Sequence, residues 1–313
     1  MKKKILILTL LIITVLILAS CGEKEYSETF FAMDTVMTIT AYGDGAKEAS
    51  EEAYKEIVRL EKLLSVTDEE SEIYALNHRT TSNVSSETAN LITEAVKISD
   101  ETDGAFDITL YPVSLLWGFT GDENRVPKED EIKTALKNTG YKKIVINENN
   151  VLLPDKMMLD LGGIAKGYAS DRVCEILKEN GIKSAVVSLG GNVRTIGKKP
   201  NGSLWKIGIA SPFGGESEQS VEVGESAVVT SGGYQRNFTV DGKTYHHIID
   251  PKNGYPAESD IASVTVITKN GAEADALSTA FFVMGAEKTK EYCKTHSGVS
   301  AVIIMQDGEI IKC

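Results

Sequence analysis

From Glu28 to Cys313 the apolar residues fall into two regimes, helical spacing common in the first half and strand-like runs in the second, with no low-complexity linker or internal repeat between them. Helical spacing appears at Ala49, Ala53, Ile57, Leu60 and Leu64, at Ala165, Ala169, Val173 and Leu177 before Gly181, and between Ala272 and Met284. Runs rich in β-branched and aromatic residues cover Thr35–Tyr42, Lys143–Ile146, Ser184–Leu189, Trp205–Ile209 and Ile261–Thr268. The polar stretch Asn147–Asn150 between Ile144–Ile146 and Val151–Leu153 predicts a hairpin. A doubly wound sheet would alternate strands and helices throughout. This segregation predicts an α+β fold, a single large domain with mixed or antiparallel sheets and packed helices.

The opening residues stand apart from that domain. Lys2, Lys3 and Lys4 precede an apolar run from Ile5 to Leu18, which ends in Leu18-Ala19-Ser20-Cys21. The run is shorter than the roughly 20 residues that span a bilayer. It reads as a signal peptide, residues 1–20, with its cleavage site. Leu-Ala-Ser-Cys resembles the bacterial lipobox, which makes Cys21 the expected lipidation site, and a diacylglyceryl group supplies the two chains that stable anchoring needs. Residues 21–28 are then a short membrane tether, and 29–313 the folded domain. The expected location is the extracytoplasmic face of the cell membrane.

The net charge is −12 for the whole chain and −15 from Cys21 onward, which argues against a nucleic-acid partner. Cys174, Cys293 and Cys313 show no C-x-x-C spacing. That argues against a zinc site or a disulfide framework and leaves room for one bridge.

Several catalytic signatures fail. Gly242-Lys243-Thr244 resembles the end of a P-loop, but Asn237 occupies the earlier glycine position and Val240–Tyr245 reads as a hairpin turn. No H-E-x-x-H occurs, and Val229 stands where a nucleophile elbow around Ser231 needs glycine. Three segments remain. Asp160-Leu161-Gly162-Gly163-Ile164-Ala165-Lys166 passes from an expected strand end into a helix, where free N–H groups suit phosphate and glycine equally suits a tight turn. Asp275 and Thr279 lie four apart on one helical face; hard oxygens suit Mg²⁺, although a helix cap and a hydroxyl bonded to backbone use the same residues. His246-His247 precede Ile248-Ile249-Asp250-Pro251, and one of the pair is a candidate for proton transfer or for holding a phosphate.

These segments, with Phe31–Thr35, Thr102–Thr109, Ser188–Asn192 and Thr230–Tyr234, occur in an order that resembles the bacterial FAD:protein FMN transferases, the ApbE flavin-transferase family. The resemblance implies that FAD binds with its pyrophosphate near Mg²⁺. A Thr or Ser hydroxyl of an acceptor protein then attacks the FMN phosphorus and expels AMP. It further implies that Met33, the Ala105-Phe106-Asp107 stretch, Asp160, Lys166 and the segment from His247 to Ile249 contact FAD. The Gly163 carbonyl, Asp275 and Thr279 would hold the metal. His247 is the candidate for activating the acceptor hydroxyl. The acceptors implied are exported or membrane-bound redox proteins carrying a Thr/Ser flavinylation motif. One departure stands out: where many relatives have an aromatic shortly before Ser71-Glu72-Ile73, this chain has Thr67, with Tyr74 nearby as a substitute. An FAD pyrophosphatase and a flavin-binding receptor lipoprotein are the competing readings.

Overall fold

The computed structural model describes residues 24–121, 123–215 and 219–313; the expected signal peptide and Cys21 lie outside them. The helices are α1 (Ala46–Leu64), α2 (Glu72–Asn77), α3 (Ser86–Glu101), α4 (Tyr111–Trp117), α5 (Glu129–Leu136), α6 (Ala165–Glu179), α7 (Gly271–Met284) and α8 (Ala286–Thr295). The strands are β1 (Glu25–Ala32), β2 (Thr35–Tyr42), β3 (Val145–Asn147), β4 (Asn150–Leu152), β5 (Ser184–Leu189), β6 (Asn192–Ile196), β7 (Trp205–Ile209), β8 (Gln219–Val223), β9 (Ala227–Gly232), β10 (Asn237–Val240), β11 (Lys243–His246), β12 (Ile261–Thr268), β13 (Ser300–Met305) and β14 (Ile310–Lys312).

An eight-stranded sheet, ordered β1-β2-β5-β6-β9-β12-β13-β14, carries the fold, and every neighbouring pair in it is antiparallel. Period-two alternation turns Met37, Ile39 and Ala41 of β2 and Ala185, Val187 and Leu189 of β5 into one large core. Helices α1, α6 and α7 cover that face of the sheet. Val186, Val193 and Ile267 point the other way, where the β7–β8 hairpin covers them with Trp205 and Val223. A third cluster, Val113, Trp117, Phe119, Ile132, Ala135 and Ile249, binds α4 and α5 to the β10–β11 hairpin through Phe238 and Tyr245. The predicted β3–β4 hairpin forms, with Asn147 paired to Asn150.

Two sequence expectations change. The stretch 25–28, expected as tether, is strand: Glu25 pairs with Tyr42 and Glu28 with Ile39. Tyr26 and Phe30 pack on the core while Ser27–Thr40 and Thr29–Thr38 hydroxyl pairs line the outer face. An edge strand with a polar outer face carries a weak hydrophobic pattern, which is why it reads as linker. The approach to Asp160 is also not a strand. Residues 157–161 lie outside any strand or helix, held by the Asn77 amide, which donates to the Leu159 carbonyl and accepts from its N–H (2.8 and 2.7 Å). Asp160 N–H donates to Ile108 (2.8 Å).

Candidate active site

Helix α7 is apolar on nearly every side because it lies between β9 and β12 and the helices α3, α6 and α8. A carboxylate in its middle therefore needs partners. Asp275, 5% exposed, accepts a hydrogen bond from Gly167 N–H in the first turn of α6 (2.9 Å). The arrangement is reciprocal. Asp171, four residues after Gly167, accepts from the N–H groups of Gly271 (2.6 Å) and Ala272 (3.1 Å) at the start of α7, just as Asp275 lies four residues after Gly271. The two helices touch at their glycines: a Cβ on Gly167 would lie 2.1 Å from the Gly271 carbonyl oxygen, and one on Gly271 would lie 2.5 Å from that of Gly167.

The two aspartates differ in one respect. Arg194 pairs with Asp171 (Nε–Oδ1 2.8 Å) and also donates to the Lys269 carbonyl. Asp275 has no cationic partner among the described residues. One turn on, the Thr279 hydroxyl makes no hydrogen bond among them either; it is Ser278 that bonds back to the Asp275 carbonyl (2.8 Å). Gly163 faces Thr279, since a Cβ there would sit 3.8 Å from Thr279 Oγ1 and 3.0 Å from the Phe106 ring. Its carbonyl receives no helical hydrogen bond, because the N–H that would reach it, Gly167, is turned to Asp275. Among the described residues no group of three or more His, Cys, Asp or Glu is placed to hold a metal. The set at α6–α7 is a carboxylate, a hydroxyl and a carbonyl. Oxygen-only donors of that kind are the type that suits a hard cation. Among the described residues the carboxylate also lacks the counter-charge that its twin has.

Beside this crossing, Asp160 Oδ1 accepts from Gly162 N–H (2.8 Å) and Lys166 Nζ donates to the Gly162 carbonyl (3.1 Å). Burial pushes the Asp160 carboxyl up, while the Gly162 N–H, Lys166 and Arg236 pull it back. The N–H groups of Gly162, Ile164, Ala165 and Gly167 are all used within the protein, which leaves those of Gly163 and Lys166 as donors without a protein partner among the described residues.

The structure separates the two histidines. His246 lies against Gly233 and edge-on to Phe282 (5.3 Å), and its Nε2 donates to the Ala257 carbonyl (3.1 Å). His247 Nδ1 lies 3.1 Å from the Arg236 carbonyl. A carbonyl only accepts, so Nδ1 carries the proton and Nε2 keeps its lone pair. Burial holds His247 down to about 4; the Arg236 carbonyl opposes that, and the charges of Arg236 and Lys166 reinforce it. The imidazole is neutral at pH 7.

Other expected contacts have partners of their own. Asp107 accepts from the N–H and hydroxyl of Thr109 (2.8 and 2.6 Å) and from Tyr141 N–H (3.2 Å), so its carboxylate shapes the loop that presents the buried Ala105 and Phe106. Burial pushes its carboxyl up in spite of these bonds. Met33, at φ +47° with Asp34 at +58°, forms the tight β1–β2 turn, and its N–H donates to Glu61 (2.7 Å). Ile249 belongs to the Trp117 cluster, whereas Ile248 enters the main core. Tyr74 is stacked on His78 at 3.8 Å. Sequence reasoning missed Arg236 and Asp171. The first was accessible: the β10–β11 register pairs Asn237 with His246, and one step further places Arg236 against His247.

With this geometry in hand, the comparisons with known proteins are specific. The ApbE family profile matches residues 33–303. The chain belongs to the ApbE family. An ApbE protein from Thermotoga maritima superposes with a TM-score of 0.86 at 37% identity, over 92% of this chain and 97% of that one. The apo form of the Pseudomonas stutzeri flavinyl transferase ApbE gives 0.82 at 31%, over 93% and 94%. The FAD:protein FMN transferase of Klebsiella pneumoniae (strain 342) is 34% identical over 299 residues, 92% of each chain. The ApbE match starts at Met33 and so contains the α6–α7 crossing, Asp160 and His247.

Proposed function

We propose that this chain is an FAD:protein FMN transferase, an enzyme that moves the FMN half of FAD to a Thr or Ser hydroxyl of an acceptor protein and releases AMP. The observation that carries the reading is the buried Asp275, which has no cationic partner among the described residues and lies one helical turn from the Thr279 hydroxyl that Gly163 faces. In the reaction the acceptor oxygen bonds to the FMN-side phosphorus, the bond from that phosphorus to the bridging oxygen breaks, and AMP leaves with that oxygen. The hydroxyl proton passes to His247 Nε2, which is free to take it because Nδ1–H is committed to Arg236. Lys166, Arg236 and the N–H groups of Gly163 and Lys166 supply positive charge and donors for the phosphates. Asp275, Thr279 and the Gly163 carbonyl would hold Mg²⁺, whose role is to neutralise the pyrophosphate and polarise the bond that breaks.

Cys21 carries the lipid anchor in this reading, and acceptors are exported or membrane-bound redox proteins. With β1 starting at Glu25, only Gly22, Glu23 and Lys24 separate the lipidated residue from the sheet. Fully extended, the chain from Cys21 to Glu25 spans at most about 14 Å. The catalytic domain then works against the membrane surface, which favours acceptors anchored in the same membrane.

The test uses purified residues 22–313 with FAD, Mg²⁺ and an acceptor whose target Thr is intact or replaced by Val. The intact acceptor should gain the mass of FMN and the Val form should not. Free FMN with unlabelled acceptor, across several acceptors, would instead identify a pyrophosphatase. Tight binding with FAD left whole would identify a receptor.

A further inference from the structure

Cys293 and Cys313 are brought together from separate elements. Cys293 lies on α8, which packs on β13, and Cys313 follows β14. The Cys313 backbone exchanges two hydrogen bonds with Ala301 of β13 (2.8 and 3.0 Å), so the ladder fixes its place. The two sulfurs are 2.7 Å apart, within a short movement of the bonded separation of about 2.05 Å. Both residues are half-buried, whereas Cys174 is buried on α6. We propose that Cys293 and Cys313 form a cross-linking site, closed to a disulfide by exchange with an external disulfide, that fastens β14 to α8.

The need for such a link follows from the topology. β14 is a three-residue strand at the edge of the sheet, paired only with β13. A strand so short and one-sided opens easily. A covalent bond to a helix held in the core removes that freedom. The chemistry also has a direction. The hydrogen bond with Cys293, the Ala301 N–H and Lys290 hold the Cys313 thiol down against its burial, so Cys313 is the thiolate that attacks first. It bonds to one sulfur of the external disulfide and expels the other half as a thiolate. Cys293 then gives its proton to solvent and attacks Cys313 Sγ, which expels the second half. Two protein thiols are oxidised and one external disulfide is reduced to two thiols. Burial pushes Cys174 up to about 12 and leaves it inert.

The experiment treats purified residues 22–313 with oxidised glutathione, quenches with an alkylating agent and compares the protein with a reduced sample. The oxidised protein should be about 2 Da lighter before alkylation. It should yield one cross-linked peptide joining Cys293 to Cys313, and Cys174 should be the one cysteine that alkylates after unfolding. Its Tm should exceed that of the reduced protein by about 5 °C. That gain should vanish in Cys313→Ser and persist in Cys174→Ser. Glutathione adducts that accumulate without the cross-link, or two thiols that remain alkylatable after long oxidation, would overturn the proposal. The wild-type protein alone decides the matter, so no variant has to fold for the test to stand.

Discussion

Gly167→Ala tests the helix crossing at its tightest point. An alanine methyl there would meet the Gly271 carbonyl oxygen at 2.1 Å, its carbon at 2.6 Å and Asp275 Cβ at 2.7 Å. Two of these three atoms are backbone and cannot swing aside. Normal contact distances of roughly 3.5 Å require α6 and α7 to part by more than about 1 Å. Overpacking of this kind costs about 1–3 kcal/mol. Parting the helices also breaks the charge-assisted bond from Gly167 to Asp275, worth roughly 1.5–3 kcal/mol. Alanine recovers about 1 kcal/mol in helix propensity. The net loss is then about 3 kcal/mol, and Asp275 is displaced from Gly163 and Thr279. Urea unfolding with and without Mg²⁺, alongside the transfer rate, reads both effects. Gly224→Ala, where the added methyl meets nothing closer than 3.9 Å, is the control and should stay within about 0.5 kcal/mol of wild type. A Gly167→Ala protein as stable as wild type, with the same Mg²⁺ requirement, would refute the view that this glycine contact sets the proposed metal site.

The paired aspartates should part company on mutation. Asp171→Asn leaves the Arg194 charge buried and unpaired and should cost about 3 kcal/mol in urea unfolding, whereas Asp275→Asn keeps an oxygen for Gly167 N–H, should fold, and should lose Mg²⁺-dependent transfer. Equal stability losses in the two variants would contradict the assignment of one pair to structure and the other to the metal. His247→Ala should slow transfer more than it weakens FAD binding, as measured by single-turnover kinetics against a binding titration. With His247 held at about 4, transfer should be flat with pH from neutrality to about 5 and decline as the pH falls through 4; a decline centred near 6.5 would exclude His247 as the base. The same shift has a stability consequence. The unfolded state binds the proton more readily, so the contribution of His247 is complete above about 6.5 and is lost as the pH falls from there toward 4. Cys21→Ala should release the enzyme from membranes in a high-salt wash without loss of transfer in solution.

Much of the fold was legible because its helices and inner strands carry strong periods. The stripe from Ala49 to Leu64 and the alternation in β2 each have one dry face, and residues of those patterns leave few alternatives. The edge strand β1 was not, since Ser27 and Thr29 face outward and the inward Tyr26, Glu28 and Phe30 are only half-buried. The segment before Asp160 reads as strand because Met157, Leu159 and Leu161 alternate inward, but its backbone partners are a side-chain amide and a loop carbonyl, which no local pattern reveals. At the site, helical spacing puts Asp275 and Thr279 on one face of α7, while their proposed metal role comes from the family resemblance. The pairing of Gly167 with Gly271, and of Asp171 with Arg194, is long-range and becomes visible only in three dimensions.

The most direct measurement is the stoichiometry of a single reaction. Purified residues 22–313, FAD, Mg²⁺ and an acceptor are combined, and AMP, free FMN and acceptor-bound FMN are quantified in the same quenched samples by chromatography and intact mass. Transfer predicts AMP and acceptor-bound FMN rising in equal amounts, little free FMN, and the loss of both products with chelator or with Asp275→Asn. AMP rising together with free FMN while the acceptor stays unlabelled, or products that form undiminished without a divalent cation, would contradict it.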